Sequence, residues 1–200
     1  PKDPAMTLPL TVPKDPVVSM PGTAPFSDRD ALTGLLGPHL LRDLAEGRFS
    51  EARRHGYFAS LILARIDGLG ALTSEYGPAI ADDAVLSFSH LVRVCVRRED
   101  VLARIDEDRF VVLMMHCDAE NATAKAEALR IAFQGLEPSG VKGSASFGVA
   151  ATSVRPGIGF DDLMGLAAQA LDRAVQSGGD RVEIAKDDPS GKRAVALAVN

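Results

Sequence analysis

The chain has 200 residues and a mass of 21.1 kDa, the length of one domain with tails or of two small domains. Hydrophobic residues make up 46% and charged residues 24%, with mean hydropathy +0.06. That composition buries a sizeable core and excludes a disordered chain. The net charge of −5 and the 5% of aromatics without Trp exclude a broad nucleic-acid footprint and a base-stacking platform. They leave room for a small anionic ligand held by a local Arg cluster.

In chain order, residues 1–26 hold seven of the twelve prolines, and Pro-Lys-Asp-Pro occurs twice, at 1–4 and 13–16. This segment is expected to be an extended linker or tail. Ser27 or Asp28 is placed to cap a helix through Leu32, Leu35, Leu36, Leu40, Leu41 and Leu44. Phe58–Asp67 is an apolar run of strand length. Asp82–Arg98 carries Ala84, Val85, Phe88, Leu91, Val92 and Cys95 at helical spacing. Val101–Ile105 and Phe110–His116 read as two strands joined by a hairpin turn, Asp106-Glu107-Asp108-Arg109. A second long amphipathic helix spans Ala119–Leu136. Ser144–Thr152 reads as a strand, Phe160–Ser177 as a helix ending at Gly178-Gly179, and Arg181–Ala185 as a last short strand. The expected architecture is one α/β (α+β) domain over residues 27–186, with helices packed on a mixed sheet, and a tail over 187–200.

Cys95 and Cys117 are too few for a disulfide framework or a zinc site. They are expected as buried thiols in a reducing, cytoplasmic setting. No apolar run approaches the roughly 18 residues that cross a bilayer, and no signal peptide is expected. Because the chain starts at Pro1, it is expected to be a piece of a longer protein. His39, His55, His90 and His116 are scattered without metal spacing and are expected to be structural or exposed.

Several marks stand in a fixed order: Asp30-Ala31-Leu32-Thr33-Gly34-Leu35, Ile66-Asp67-Gly68, Tyr76-Gly77, Asp82, then Ala103-Arg104-Ile105 leading into Asp106-Glu107-Asp108-Arg109-Phe110, then Ser146-Phe147-Gly148 and Ala170-Leu171 through Gly178. Together they resemble the GGDEF domain, the diguanylate cyclase fold, over Asp30 to Val182. The resemblance implies a ferredoxin-like palm with a mixed five-stranded sheet flanked by helices. An active member condenses two GTP into cyclic di-GMP, with carboxylates holding magnesium on the triphosphate and Lys and Arg of the last helix clamping phosphates. Charge developing on the phosphates has to be neutralised by metal and cations.

This chain departs from that pattern. Arg65 stands where the first metal carboxylate belongs. Asp106 and Glu107 replace the Gly-Gly, Asp108 alone keeps a carboxylate at the second metal position, and Arg109 replaces the acidic residue after it. Thr73 replaces the guanine-reading Asn, while Asp82 keeps the guanine-reading Asp. Val175 and Gly179 replace the phosphate-clamping Lys and Arg. A guanidinium cannot coordinate a metal, and magnesium requires oxygen ligands. The expectation is a degenerate active site with no catalytic residue, no metal and no cofactor, in which Arg65 pairs with Asp108 as a fixed cation.

A second site of the family, the inhibitory product-binding motif R-x-x-D, falls five residues before the signature loop. Here Arg97-Arg98-Glu99-Asp100 has that spacing. By resemblance, Arg97 presents a planar fork to a guanine edge or a phosphate, Asp100 accepts from guanine N1–H and its amino group, and Arg98 reaches a phosphate. Micromolar binding requires about 8 kcal/mol, which two or three charge-assisted bonds at roughly 1.5–3 kcal/mol each barely reach. The family adds stacked ligand pairs and an Arg from a second surface. The aligned position of that Arg is Ala128, with Arg130 about 200° further around the helix, and Arg93 is another candidate helper. The leading expectation is a catalytically inactive cyclic di-GMP receptor in signal transduction, working with other domains of its parent protein or a protein partner, with a homodimer allowed. A ligand-free interaction or dimerisation module and a GTP-sensing regulatory domain are the alternatives.

Overall fold

The computed structural model describes residues 28–153 and 157–186; the expected linker at 1–26, the tail at 187–200 and Arg155-Pro156 lie outside them. The order of elements is α1 Pro38–His55, β1 Ala59–Ile66, α2 Leu69–Tyr76, α3 Pro78–Cys95, β2 Val101–Arg104, β3 Arg109–Met115, α4 Ala119–Gln134, a 3₁₀ turn Pro138–Gly140, β4 Ala145–Ala151, α5 Phe160–Gln176 and β5 Val182–Ile184. Five strands form one sheet in the order β2-β3-β1-β4-β5. All pairings are antiparallel except the parallel β4–β5. This is the mixed sheet with flanking helices expected from the sequence.

Strand alternation sorts the core into two layers. Leu61, Leu63, Val111 and Leu113 face α1 and α5, where Leu41, Phe49, Leu163 and Ala167 pack. Ile62, Val112, Phe110 and Phe147 face α3 and α4. Phe88 of α3 lies at the centre of that second layer, with ring centroids 4.9 Å from both Phe110 and Phe133 in edge-on geometry. Truncating such a buried ring costs about 3–5 kcal/mol. Because β1 and β3 are covered on both faces, they read in the sequence as unbroken apolar runs.

Three expectations are corrected. The leucines at 32, 35 and 36 do not belong to a helix, and Asp28 caps none; Ser27, the other expected cap, lies outside the described residues. Instead the Asp30 carboxylate accepts the Thr33 N–H at 2.7 Å and the Thr33 hydroxyl at 2.5 Å, the Asp30 carbonyl accepts Gly34 N–H, and Gly34 sits at φ +67°. That side-chain turn outcompetes the helix, which starts only at Pro38 with Gly37 as N-cap. The Asp82 helix starts four residues earlier, at Pro78, and is preceded by α2, an eight-residue helix with no buried residue and hence no apolar period to find. Both cysteines are half-buried rather than buried.

Candidate functional site

The β2–β3 hairpin carries the signature loop to the end of the sheet. Register places Arg65 of β1 directly opposite Arg109 of β3. Two facing guanidinium groups repel, and the loop supplies the carboxylates that neutralise them. Asp108 Oδ2 accepts from Arg65 Nε at 2.7 Å, and its Oδ1 lies 3.9 Å from Arg109 Nε. Arg109 Nη2 donates to Asp106 at 2.7 Å. Asp106 also accepts Glu107 N–H at 2.8 Å, and that bond, ahead of the Arg109 charge, holds its carboxyl below the usual range. The loop is tied back by Ile66 N–H to the Asp108 carbonyl and Ile105 N–H to the Arg109 carbonyl.

A second ion pair anchors the hairpin from the side. Arg104 Nη1 donates to both Asp30 oxygens at 3.1 and 3.0 Å, and its Nη2 to the Glu107 carbonyl at 2.7 Å. Burial alone would raise the Asp30 pKa; the Thr33 hydroxyl and N–H and the Arg104 pair outweigh it and lower it. Asp30 therefore organises both its own turn and the loop. Between them runs a cleft of about 380 Å³ lined by Asp30, Gly37, His39, Arg104, Asp106 and Glu107 among others.

Magnesium, which the resemblance implies, does not fit the donor set. The Asp108 carboxylate is bonded to a guanidinium, and Arg65 offers donors only. Among the described residues no three His, Cys, Asp or Glu come together in an arrangement able to hold a metal ion. Thr73 is exposed on α2 with its hydroxyl donating to the Leu69 carbonyl of its own helix, and Asp82 is exposed near the start of α3. On the last helix, Val175 packs at the edge of the α1–α5 core. Gly179, at φ +74°, has a Cβ position 3.1 Å from the Asp67 carboxylate. That carboxylate is engaged by the Ser144 and Ser146 hydroxyls and the Asp180 N–H.

The R-x-x-D residues lie apart from this network, where α3 ends. Asp100 Oδ2 accepts the Arg97 N–H at 2.8 Å, and Asp100 N–H donates to the Arg97 carbonyl at 3.2 Å. This closed turn fixes Asp100 while leaving its second oxygen without a hydrogen bond among the described residues. Burial is the main cause that raises the Asp100 pKa, against the Arg97 N–H, and Glu99 adds to it. The Arg97 and Arg98 side chains are exposed and make no hydrogen bond or ion pair with the described residues. The candidate helpers are committed elsewhere. Arg93 donates to the Thr33 carbonyl at 3.1 Å, and Arg130 pairs with Glu127 and Asp180 at 2.8 and 3.1 Å. Lys125, which no motif marks, donates from α4 to the Cys95 carbonyl at 2.7 Å.

Among the described residues no helix is long and apolar enough to cross a membrane. The sequence is 25% identical over 164 residues to probable diguanylate cyclase DgcC of Escherichia coli, covering 80% of this chain and 43% of that protein. It is 27% identical over 154 residues to diguanylate cyclase DgcM of the same organism, covering 76% and 37%. The chain thus spans less than half the length of these curated relatives. In fold it is similar to the GGDEF domain of DgcB from Caulobacter crescentus in complex with c-di-GMP, with TM-score 0.75 and 19% identity, covering 82% of this chain and 99% of that one. It is also similar to diguanylate cyclase SiaD in complex with its activator SiaC from Pseudomonas aeruginosa, with TM-score 0.73 and 24% identity, covering 80% and 62%. The sequence model described as "Diguanylate cyclase, GGDEF domain" matches residues 27–181, from the Asp30 turn through the hairpin to the start of β5, and the chain belongs to that family.

Proposed function

We propose that this domain does not synthesise cyclic di-GMP but binds it, through Arg97, Arg98 and Asp100, and relays its presence to other domains of a parent protein or to a protein partner in the cytoplasm. The observation that carries the loss of chemistry is the Arg65–Asp108 pair at 2.7 Å. It puts a guanidinium against the one carboxylate left at the metal positions. Asp106 and Glu107 add negative charge where a triphosphate would approach, and Val175 and Gly179 offer no cation in return.

Support for the receptor reading is geometric. Two exposed guanidinium groups flank a carboxylate that is already held in place, and planar forks of this kind suit guanine edges and phosphates. The related DgcB domain is in complex with c-di-GMP, which makes this nucleotide the first ligand to try.

Calorimetric titration of the purified chain with cyclic di-GMP, and with GTP and magnesium, tests the proposal. Saturable heat with cyclic di-GMP that disappears in Arg97→Ala, together with no product from GTP, is the expected result. Heat for neither nucleotide would turn the reading to a ligand-free docking or dimerisation module. Heat for GTP alone would turn it to a GTP sensor.

A further inference from the structure

The end of α3 has a cation that its sequence motif does not contain. Lys125 crosses from α4 to the last residue of α3, where its Nζ donates to the Cys95 carbonyl. That carbonyl is one of the four a helix leaves unpaired at its C-terminus, so the ammonium rests on the negative end of α3. Cys95 is two residues before Arg97, and the Lys125 charge also acts on Asp100. The side chain is half-buried, so its position is held by packing as well as by the bond. Ala128, where the resemblance implies a second-surface Arg, lies three residues further along α4, and residues three apart share a helix face. The chain therefore lacks a charge at 128 and presents one from the same face at 125.

Charge balance gives Lys125 a task. A cyclic dinucleotide brings two anionic phosphodiesters. Around the corner stand Arg97 and Arg98, but also Glu99, Asp100 and, at the start of α4, Asp118. The Cys117 thiol is pushed up first by burial and then by the Asp118 and Asp100 charges, while the Ser60 hydroxyl and the Arg97 charge act against them. Without Lys125 the acids outnumber the cations and repel a phosphate. With it they balance, and the phosphate meets an ammonium. Of the three ammonium donors, one is on the Cys95 carbonyl and two remain.

Resting on the cyclic di-GMP reading above, we propose that Lys125 is a ligand-binding residue of this site, which pairs with a phosphodiester oxygen while Arg97 and Asp100 engage a guanine. It replaces, from one turn earlier on α4, the cation that position 128 lacks.

The test is calorimetric titration of the full chain with cyclic di-GMP, comparing wild type, Lys125→Gln, Lys125→Arg and Arg97→Ala. Gln keeps an N–H donor, one bond shorter in reach, and removes the charge; thermal melting of each variant checks that it is folded. The expected result is binding weakened about tenfold or more in Lys125→Gln, the worth of one charge-assisted bond, with a flatter dependence on ionic strength and near-normal binding in Lys125→Arg. Wild-type affinity in Lys125→Gln alongside lost binding in Arg97→Ala overturns the role of Lys125 and leaves the receptor reading standing. No binding by wild type, or binding indifferent to both substitutions, overturns both.

Discussion

Arg65 and Arg109 face each other across the β1–β3 register, and one carboxylate, Asp108, stands against both. In this arrangement the ion pair is internal to the fold. Its worth is set by exposure: the Arg65 side chain is 41% accessible and that of Asp108 20%, so the pair contributes about 0–1 kcal/mol. Arg65→Asp replaces attraction by repulsion between two carboxylates and leaves Arg109 to serve both. The melting temperature should fall by about 2–4 °C for each kcal/mol lost. No cyclic di-GMP should form from GTP and magnesium, because the phosphate-clamping positions stay Val175 and Gly179. Product formation by this single variant would show that Arg65 alone silences the site.

Asp100 couples the corner to pH in two opposite directions. Its folded pKa is raised, chiefly by burial. On the proposed receptor reading it has to be ionised to accept guanine N–H groups, so affinity for cyclic di-GMP should fall as pH drops towards that raised value from neutrality. Stability should move the other way. A carboxyl whose folded pKa exceeds its unfolded 3.8 binds more protons when folded, and its contribution is lost as pH rises through the interval between the two values. Asp100→Asn should therefore lose ligand binding and its pH dependence while melting at or above the wild-type temperature at pH 7. The groups acting on Asp100, namely Arg97, Glu99 and Lys125, remain in that variant. Titrations at pH 7 and pH 5 with matched melting curves check both halves.

The legible parts of the molecule are those where burial imposes a period. Phe58–Asp67 and Phe110–His116 announced β1 and β3 because both faces of each are covered. The Arg65–Asp108 contact was legible from aligned positions 43 residues apart, since one has lost an acid and the other keeps it. The turn at 30–37 was not, because its leucines mimic a helical stripe while the decisive interaction is the Asp30 side chain competing with the backbone. α2 was invisible because it buries nothing. Lys125 left no trace either. A lone lysine on a charged helix becomes meaningful only when tertiary packing brings it to a carbonyl 30 residues away.

The Asp30–Arg104 pair links the opening turn to the signature hairpin, and its geometry demands a guanidinium. One nitrogen of Arg104 reaches Asp30 and another reaches the Glu107 carbonyl, which an ammonium on a flexible stem cannot reproduce. Arg104→Lys should destabilise the domain by about 1–3 kcal/mol, the worth of lost charged hydrogen bonds with a carboxylate left short of partners. Because the folded pKa of Asp30 is lowered from 3.8, its contribution is present above that value and lost as pH falls through the lower folded one. The stability of wild type against urea should therefore fall between pH 4 and more acidic conditions, and the Arg104→Lys variant should show a smaller change over the same range.

Gly148 decides how closely α5 approaches the sheet. A Cβ there would lie 2.1 Å from the Ala167 carbonyl oxygen and 2.4 Å from Leu171 N, both backbone atoms of α5. Neither can move alone, so Gly148→Ala has to lift the helix from β4 and unseat Leu163, Ala167 and Leu171 from their buried positions. Overpacking of this kind costs about 1–3 kcal/mol where side chains adjust, and a backbone obstruction belongs at or beyond the upper end. Gly47 is the control. It lies on the exposed face of α1 with nothing within 4 Å of its Cβ position, and Gly47→Ala should stabilise by about 1 kcal/mol through helix propensity. Urea midpoints should shift in opposite directions for the two substitutions. If both variants shift the same way, the contact between β4 and α5 is looser than these distances require.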